Sequence, residues 1–444
     1  MSCMKRILAA TSLLLAAGIS CLAQDFGTSF FMGNYVYDYK LNPGAPLEGK
    51  NLSFASIGLG NISVSAPTSL SYEKLAPSID GQPYWFLDSR VPAQTFTDGL
   101  KNKNFLNPSV NMTVFSFGKK TDRDRFNVEV NLRSDNIFRV PKEALSTIKY
   151  GFMELEKAPE DRNGAHGCTE PVSLTSSNYL ELAVCYGFKI SEKVTFGARL
   201  KALVGIAGAE FNLNSMKVGA NVNGELEVTA MGNARIAAPT RMTINTVEGE
   251  GGSRIYNFNR ISYGAVGIAG YGAAVDLGVT VEAFKGFTAG LSVLDLGAMY
   301  WNYNLAGNID LDRMVINKPE EAAVVYPATA SPKLSMCNFN VHLFTKYKMP
   351  FYDKWNVGMV GTIQQYFQEV RIGTGITPIN LVSLGLSAAY NSCGFDAGAS
   401  LSINFPGMNI FAGLAMPLPI VVNKNMIPVK GGINNLTIGM TLAI

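Results

Sequence analysis

Apolar and polar residues alternate one by one along much of this 444-residue chain. In residues 125–133 every second residue is apolar, and Asn, Glu or Arg fills the positions between. The same two-residue period recurs in residues 178–190, 194–204, 395–405 and 435–444. Successive side chains of a β-strand point to opposite faces, so this period predicts strands with one apolar and one polar face.

The connections between the predicted strands fall into two length classes. Residues 191–193, 284–286 and 406–408 form tight turns, whereas residues 66–107, 137–177 and 300–332 form long loops. Short turns at one end and long loops at the other are typical of outer-membrane barrels. At roughly 30 residues per strand and loop, we predict an all-β fold, a transmembrane antiparallel β-barrel of about 14 strands, with about 12 to 16 possible.

The composition agrees with a surface that faces lipid. Charged residues make up 16% of the chain, against roughly 25% in soluble domains. The formal net charge is only +3, which gives no reason to expect a nucleic-acid partner. Outer-membrane lipid is therefore the expected surrounding of the strands.

The N-terminus carries an export signal. Lys5 and Arg6 precede a short apolar run, and Ala23 ends a small-residue cleavage site. We predict a signal peptide over residues 1–23, cleaved after Ala23, and a location in the bacterial outer membrane. Lipidation of Cys21 is the alternative.

Two segments do not show strand alternation. Residues 95–103 and residues 141–150, which begin with Pro141, are predicted to be short helices in loops or in a plug. Cys168 and Cys185 are the closest cysteine pair in the exported chain, and they are either isolated thiols or one disulfide.

Short motifs resemble a known superfamily. They are Leu41-Asn42-Pro43-Gly44, Ser116-Phe117-Gly118 and the glycine-bounded segments 272–278 and 290–297. The chain resembles the outer-membrane barrels that include long-chain fatty-acid transporters and barrels accompanying type IX secretion, and is most similar to an uncharacterised family among them. This resemblance implies an N-terminal hatch over residues 24–50 around Asn42 and Pro43, a barrel over residues 51–444, and passage or capture of hydrophobic molecules.

Charged and polar residues on the polar faces are predicted to point into the lumen. They could pair across it and support a plug, or they could line a polar path. These residues are Glu129, Arg133, Arg199, Lys201, Asp276, Glu282, His342 and Lys346.

The sequence offers little for catalysis. Its two histidines, His166 and His342, have no evident nucleophile beside them, and His166 with Cys168 supplies two potential ligands where a zinc site needs three or four. We therefore predict no enzyme activity, no metal site and no cofactor.

Three functions remain open at this point. The first is passive uptake or binding of hydrophobic small molecules. The second is a non-transporting scaffold that binds a periplasmic, secretion-system or surface-lipoprotein partner. The third, a lipid-modifying enzyme, would need a site centred on His342 or His166.

Overall fold

The computed structural model describes residues 27–33, 35–47, 51–58, 60–70, 72–162, 164–248, 254–315, 323–365, 367–418, 421–422, 428–430 and 435–443. The predicted signal peptide and Ile444 lie outside these residues.

The described residues form twenty-seven strands. The first thirteen are β1 (Leu52–Ile57), β2 (Ile62–Ser65), β3 (Ser78–Ile79), β4 (Gln82–Pro83), β5 (Lys103–Leu106), β6 (Ser109–Lys120), β7 (Asp124–Pro141), β8 (His166–Cys168), β9 (Val172–Ser191), β10 (Val194–Ala220), β11 (Leu226–Ala237), β12 (Thr240–Glu248) and β13 (Arg254–Val266). The others are β14 (Gly270–Phe284), β15 (Phe287–Trp301), β16 (Leu305–Val315), β17 (Ala323–Pro327), β18 (Lys333–Met336), β19 (Asn340–Met349), β20 (Tyr352–Gln364), β21 (Gln368–Ile379), β22 (Val382–Asn391), β23 (Gly394–Phe405), β24 (Met408–Pro417), β25 (Val421–Val422), β26 (Pro428–Lys430) and β27 (Asn435–Ala443).

Helices are few and short. The α-helices are α1 (Tyr72–Leu75), α2 (Ala93–Asp98) and α3 (Lys142–Glu154), and 3-10 turns occur at Gly27–Phe31, Asp38–Lys40 and Pro159–Asp161. The two helices predicted from sequence correspond to α2 and α3, and both lie in loops. Among the described residues, no helix has the length and apolarity needed to cross a membrane.

Antiparallel pairing joins the wall strands into a closed ring. β1 and β2 share one position in this ring, because both pair with β6 on one side and with β27 on the other. From there the described strands run in the order β6, β7, β9, β10, β14, β15, β19, β20, β21, β22, β23, β24 and β27, which makes fourteen positions. The predicted barrel and its strand number are confirmed.

The predicted separation of faces also appears in the structure. On β10, Leu200 is 66% exposed and points outward, whereas its neighbours Arg199 and Lys201 are 3% and 4% exposed. Aromatic rings pair on the outer surface near both rims, as in Phe284 with Phe287 and Tyr390 with Phe395. Such rings are typical of the membrane–water interface.

Several strands run far beyond the membrane at the long-loop end. β10 has 27 residues, whereas about 9–11 suffice to span a bilayer. Its outer part pairs with β11, β11 pairs with β16, and β16 pairs with β17. The loop helices α2 and α3 pack on this outer sheet through an apolar core that includes Phe86, Phe96, Leu145 and Val218.

In the sequence, aromatic residues that include Phe86 and Trp301 lie near the ends of predicted segments, a position compatible with girdles at the membrane interface. In the structure, Trp301 and Phe86 are buried instead. Trp301 packs with Tyr179 and Met299 on the inner side of the wall, and Phe86 stacks on Phe96 under the loops. An aromatic cluster at the end of a strand signals the interface only where the strand ends with the membrane.

Substituting Leu200 by Arg should lower the free energy of unfolding from lipid vesicles by about 2–4 kcal/mol, because a charge near mid-bilayer is poorly solvated. Ile190→Arg, at the rim beside a tight turn, should cost about 0–1 kcal/mol. Urea titration of both variants in the same vesicles gives the comparison. Equal losses would contradict the placement of Leu200 in the bilayer.

Candidate functional site

An N-terminal segment crosses the barrel lumen. This plug segment, residues 27–33 and 35–47, contacts wall strands that are well separated around the ring. Near its start, Thr28 shares a hydrogen bond with Ser387 of β22 and accepts one from Ser400 of β23. Near its end, the backbone carbonyl of Leu41 accepts a hydrogen bond from Ser292 of β15 at 2.6 Å.

The Asn-Pro-Gly sequence seats one end of the plug segment on the wall. The Asn42 amide donates to the Thr280 hydroxyl at 2.8 Å and accepts from the Gly44 backbone N–H at 3.0 Å. A side chain on Gly197 or on Gly278 would overlap Pro43 or Asn42. Glycine at these wall positions therefore permits a close approach of two backbones.

Aromatic side chains of the plug segment form a cluster inside the barrel. Tyr35, Tyr37 and Tyr39 pack with wall residues Phe54 and Phe411. Ring centroids lie 5.1–6.1 Å apart in tilted or edge-on arrangements, the geometry that aromatic pairs prefer. The Tyr37 hydroxyl also shares hydrogen bonds with Ser56 and Ser116.

The first wall strand is interrupted beside this cluster. Between the pairs Ala55–Leu442 and Ile62–Ile438, the first strand advances by seven residues and β27 by four. Gly58, with φ of +81°, lies in the interruption and takes a backbone conformation that glycine favours. A side chain on Gly60 would overlap Ser56 and Tyr37, so the interruption and the aromatic cluster touch.

An ion-pair network fills one side of the lumen. Arg199 contacts Glu129, Glu181 and Asp276 at 2.5–3.1 Å. Lys201 contacts Asp276 and a further carboxylate, Asp295, at 2.7 and 2.6 Å. All of these side chains are buried, so each charge depends on its partners for solvation.

Asp295 enters this network through a β-bulge. Its φ is +59°, unusual for a residue other than glycine. The register of β14 and β15 shifts between the pairs Val275–Leu296 and Leu277–Val293. In this bulge the Asp295 N–H donates a hydrogen bond to the Asp276 carboxylate at 2.7 Å. Arg133 then reaches both Asp295 and Glu181.

The other predicted lumen residues have separate environments. The His342 ring shares a hydrogen bond with Thr362 at 3.0 Å, and Lys346 donates to the Phe30 carbonyl of the plug segment at 2.9 Å. Glu282 lies at the rim, where it accepts a hydrogen bond from the Gly286 N–H in the tight turn. It does not join the ion-pair network.

A second charged cluster was not predicted. The Arg371 guanidinium of β21 contacts Glu369 at 2.9 Å and Asp396 of β23 at 2.7 Å. Asn391 donates to Asp396 at 2.8 Å. Asp396 stood on a predicted polar face, but strand alternation alone does not show which strands become neighbours.

The outer mouth is covered by the first long loop. Phe86 and Phe96 of this loop pack against Val218 of β10. Lys101 of the same loop reaches the Ser392 carbonyl, in the turn between β22 and β23, at 2.5 Å. A loop that touches both of these walls lies across the mouth.

A small polar cavity of about 70 Å³ remains between the plug segment and the outer part of the lumen. Phe30 and Lys40 border it on the plug side, and Arg133, His342 and Arg371 border it on the wall side. Pockets for drug-sized ligands measure about 300–1,000 Å³. This cavity is therefore too small for such a ligand.

The first long loop packs with the second, residues 142–162 and 164–171, and together they form a loop cap. The second loop contains the second histidine and a buried thiol. The His166 ring lies 2.9 Å from the Glu154 carboxylate. Burial, together with the Glu143 carboxylate, raises the pKa of the Cys168 thiol to about 11, so it is protonated and unreactive at neutral pH. All four described cysteines are free thiols, and no cluster of His, Cys, Asp and Glu suited to a metal ion occurs within the described ranges.

The model of a protein family described as "Family of unknown function (DUF5723)" matches residues 48–414, which is most of the chain. This chain belongs to the DUF5723 family. No curated protein matches it. The match to DUF5723 agrees with the expected resemblance to an uncharacterised family.

Solved barrels similar to this DUF5723 protein include the Ralstonia pickettii toluene transporter TbuX, at 11% identity over 94% of this chain and 98% of that chain, with a TM-score of 0.48. The Pseudomonas putida toluene transporter TodX is similar at 10% identity over 96% and 99%, with a TM-score of 0.43. A Pseudomonas aeruginosa FadL homologue is similar at 10% identity over 96% and 97%, with a TM-score of 0.41. At this level of similarity the fold rests on the strand pairings of this chain itself.

Replacing Asp276 by Asn should lower the free energy of unfolding by about 3–5 kcal/mol, because it removes one partner from a buried charge cluster. Glu282→Gln, on the same face of the same strand, should cost less than about 1 kcal/mol, because Glu282 bonds only to a rim turn. Urea titration in vesicles measures both. Similar costs would contradict the buried network.

Proposed function

We propose that this DUF5723 protein is exported by cleavage of residues 1–23 and allows small hydrophobic molecules to pass the outer membrane passively. The observation that carries the proposal is the aromatic cluster of the plug segment, which lies inside the barrel directly beside the interruption of the first strand. Aromatic rings offer a hydrophobic molecule a favourable surface.

The position of the charges favours a route along this side of the lumen. Arg199, Lys201 and their carboxylate partners occupy β7, β9, β10, β14 and β15, and a bare hydrocarbon gains nothing by entering such a site. Tyr37 and Phe54, by contrast, adjoin the interrupted strand. A hydrophobic molecule would leave through the interruption into the membrane once the plug segment has moved.

The plug segment must move for any passage, because the cavity above it holds too little space. Asn42 and Pro43 are proposed to keep the end of the plug segment on the wall while its middle rearranges. Their seat between Gly197 and Gly278 supports this role. No covalent chemistry is required, and the proposed function is not enzymatic.

Deletion of residues 58–60 tests the route, because it would equalise the residue steps of the first strand and β27. Cells that carry the wild-type protein in their outer membrane should take up radiolabelled toluene and a radiolabelled medium-chain fatty acid faster than cells without it. The deletion should reduce initial uptake to the level of cells without the protein. Surface expression is measured for every variant.

Deletion of the 3-10 turn Pro159–Asp161 in the loop cap, where Glu160 and Asp161 are exposed, is the matched control and should leave uptake unchanged. A radiolabelled sugar tests for a general pore and should not enter faster. Wild-type uptake after deletion of residues 58–60, or no uptake of either hydrophobic probe by the wild type, would contradict the proposal.

A further inference from the structure

The plug segment carries one buried positive charge, Lys40. Within residues 27–47 only Asp38 and Lys40 are charged. Asp38 is partly exposed and pairs with Arg125 at 2.8 Å. Lys40 is buried, and its side chain enters the ion-pair network of the wall.

The wall presents three oxygen acceptors to the Lys40 ammonium group. The Nζ atom lies 2.7 Å from Thr113 Oγ1, 3.0 Å from Asn131 Oδ1 and 3.1 Å from Glu129 Oε2. An ammonium group has three N–H donors, so all three are satisfied. The acceptors belong to β6 and β7, which are wall strands.

These acceptors are oriented by further bonds that do not involve Lys40. The Asn131 amide donates to Glu181 at 2.9 Å and to Glu129 at 3.2 Å, which turns its oxygen toward the ammonium position. The Thr113 hydroxyl donates to Asn131 Oδ1 at 2.8 Å, which leaves its lone pairs for an incoming N–H. The site is therefore built by the wall and filled by the plug segment.

The wall network contains more carboxylates than cations, so the contact of Lys40 with Glu129 supplies charge that the wall lacks. The wall residues joined by ion pairs comprise three cations and five carboxylates: Arg133, Arg199, Lys201, Glu129, Asp135, Glu181, Asp276 and Asp295. Lys40 of the plug segment adds a fourth positive charge to this network. If the plug segment leaves, Glu129 keeps Arg199 but loses Lys40, and the excess of carboxylates in a poorly solvated wall grows by one charge, which is unfavourable.

We propose that Thr113, Glu129 and Asn131 form a site for a primary ammonium group, and that Lys40 occupies it to latch the plug segment in the closed barrel. This inference rests on the proposed role of the segment as a movable plug. It adds that the latch is chemically specific: a free primary alkylamine should fit the same position when the lysine side chain is removed.

Cys185 reports on the latch without any transport assay. It is 1% exposed and packs in the cluster that contains Tyr37, Tyr39 and Leu41 of the plug segment. In a refolded chain whose other cysteines, Cys3, Cys21, Cys168, Cys337 and Cys393, are serine, the rate of N-ethylmaleimide addition to Cys185 in vesicles measures opening. Failure of the uptake assay would leave this measurement unaffected.

Lys40→Ala should raise the labelling rate at least about tenfold, because the plug segment loses its buried ion pair. Addition of n-propylamine, which replaces the removed atoms, should return the rate toward wild type. 1-Propanol, which has similar size and no charge, should not. Asp38→Asn is the matched control in the same turn and should change the rate less than about threefold, because its ion pair is partly exposed.

The double variant Lys40→Met with Glu129→Gln separates charge from packing. It should label more slowly than Lys40→Met alone, because the carboxylate that lost its lysine partner is removed as well. If Lys40→Ala fails to fold, judged by heat-modifiable gel mobility, Glu129→Gln alone tests the contact from the wall and should speed labelling at least about threefold. Wild-type rates in the Lys40 and Glu129 variants, or equal rescue by 1-propanol, would overturn the proposal.

Discussion

Every backbone N–H and C=O group in the membrane must find a partner within the protein, because lipid supplies none. For this chain the requirement is met by the pairing of β27 with β1 and β2, which closes the sheet on itself. Closure removes the sheet edges and encloses a lumen. The plug segment and the inward-facing charges fill this lumen, and the loop cap covers its outer mouth.

Enclosure also determines the electrostatics of the lumen. Charged groups that face inward leave bulk water, so they must be compensated by one another. Arg199 and Lys201 are shared among carboxylates of three strands, and the bulge at Asp295 adds a carboxylate from a fourth. The wall part of the network remains deficient in positive charge, and Lys40 of the plug segment contributes to it. The plug segment is thus both a filler of volume and a counter-ion.

Sequence alternation predicted the barrel because lipid enforces it. Wherever one face of a strand meets hydrocarbon, as in residues 125–133, the other face can be assigned to the lumen residue by residue. This reasoning placed Glu129, Arg199, Lys201 and Asp276 on polar faces, where the structure shows them. The strand number followed from the regular repeat of strand and loop.

The same reasoning missed features that do not follow the two-residue period. Asp295 lies in a bulge, which shifts the face of the residues around it. Lys40 lies in a 3-10 turn of a segment without strand periodicity. Trp301 and Phe86 occupy sequence positions compatible with the interface but are buried, because β10, β11 and their neighbours extend beyond the membrane and no lipid boundary marks where they leave it. Partners on different strands, such as Arg371 of β21 and Asp396 of β23, depend on the order of strands in the ring.

Hydrogen exchange of the plug backbone tests most directly whether the lumen is filled as described. In the closed barrel the N–H groups of Lys40, Leu41 and Asn42 are buried and bonded to carbonyls of Tyr37 and Asp38. With the protein in vesicles, these amides should exchange many times more slowly than in a free peptide of the same sequence. Exchange at the rate of the free peptide would contradict the account, because the plug segment would then lie outside the barrel.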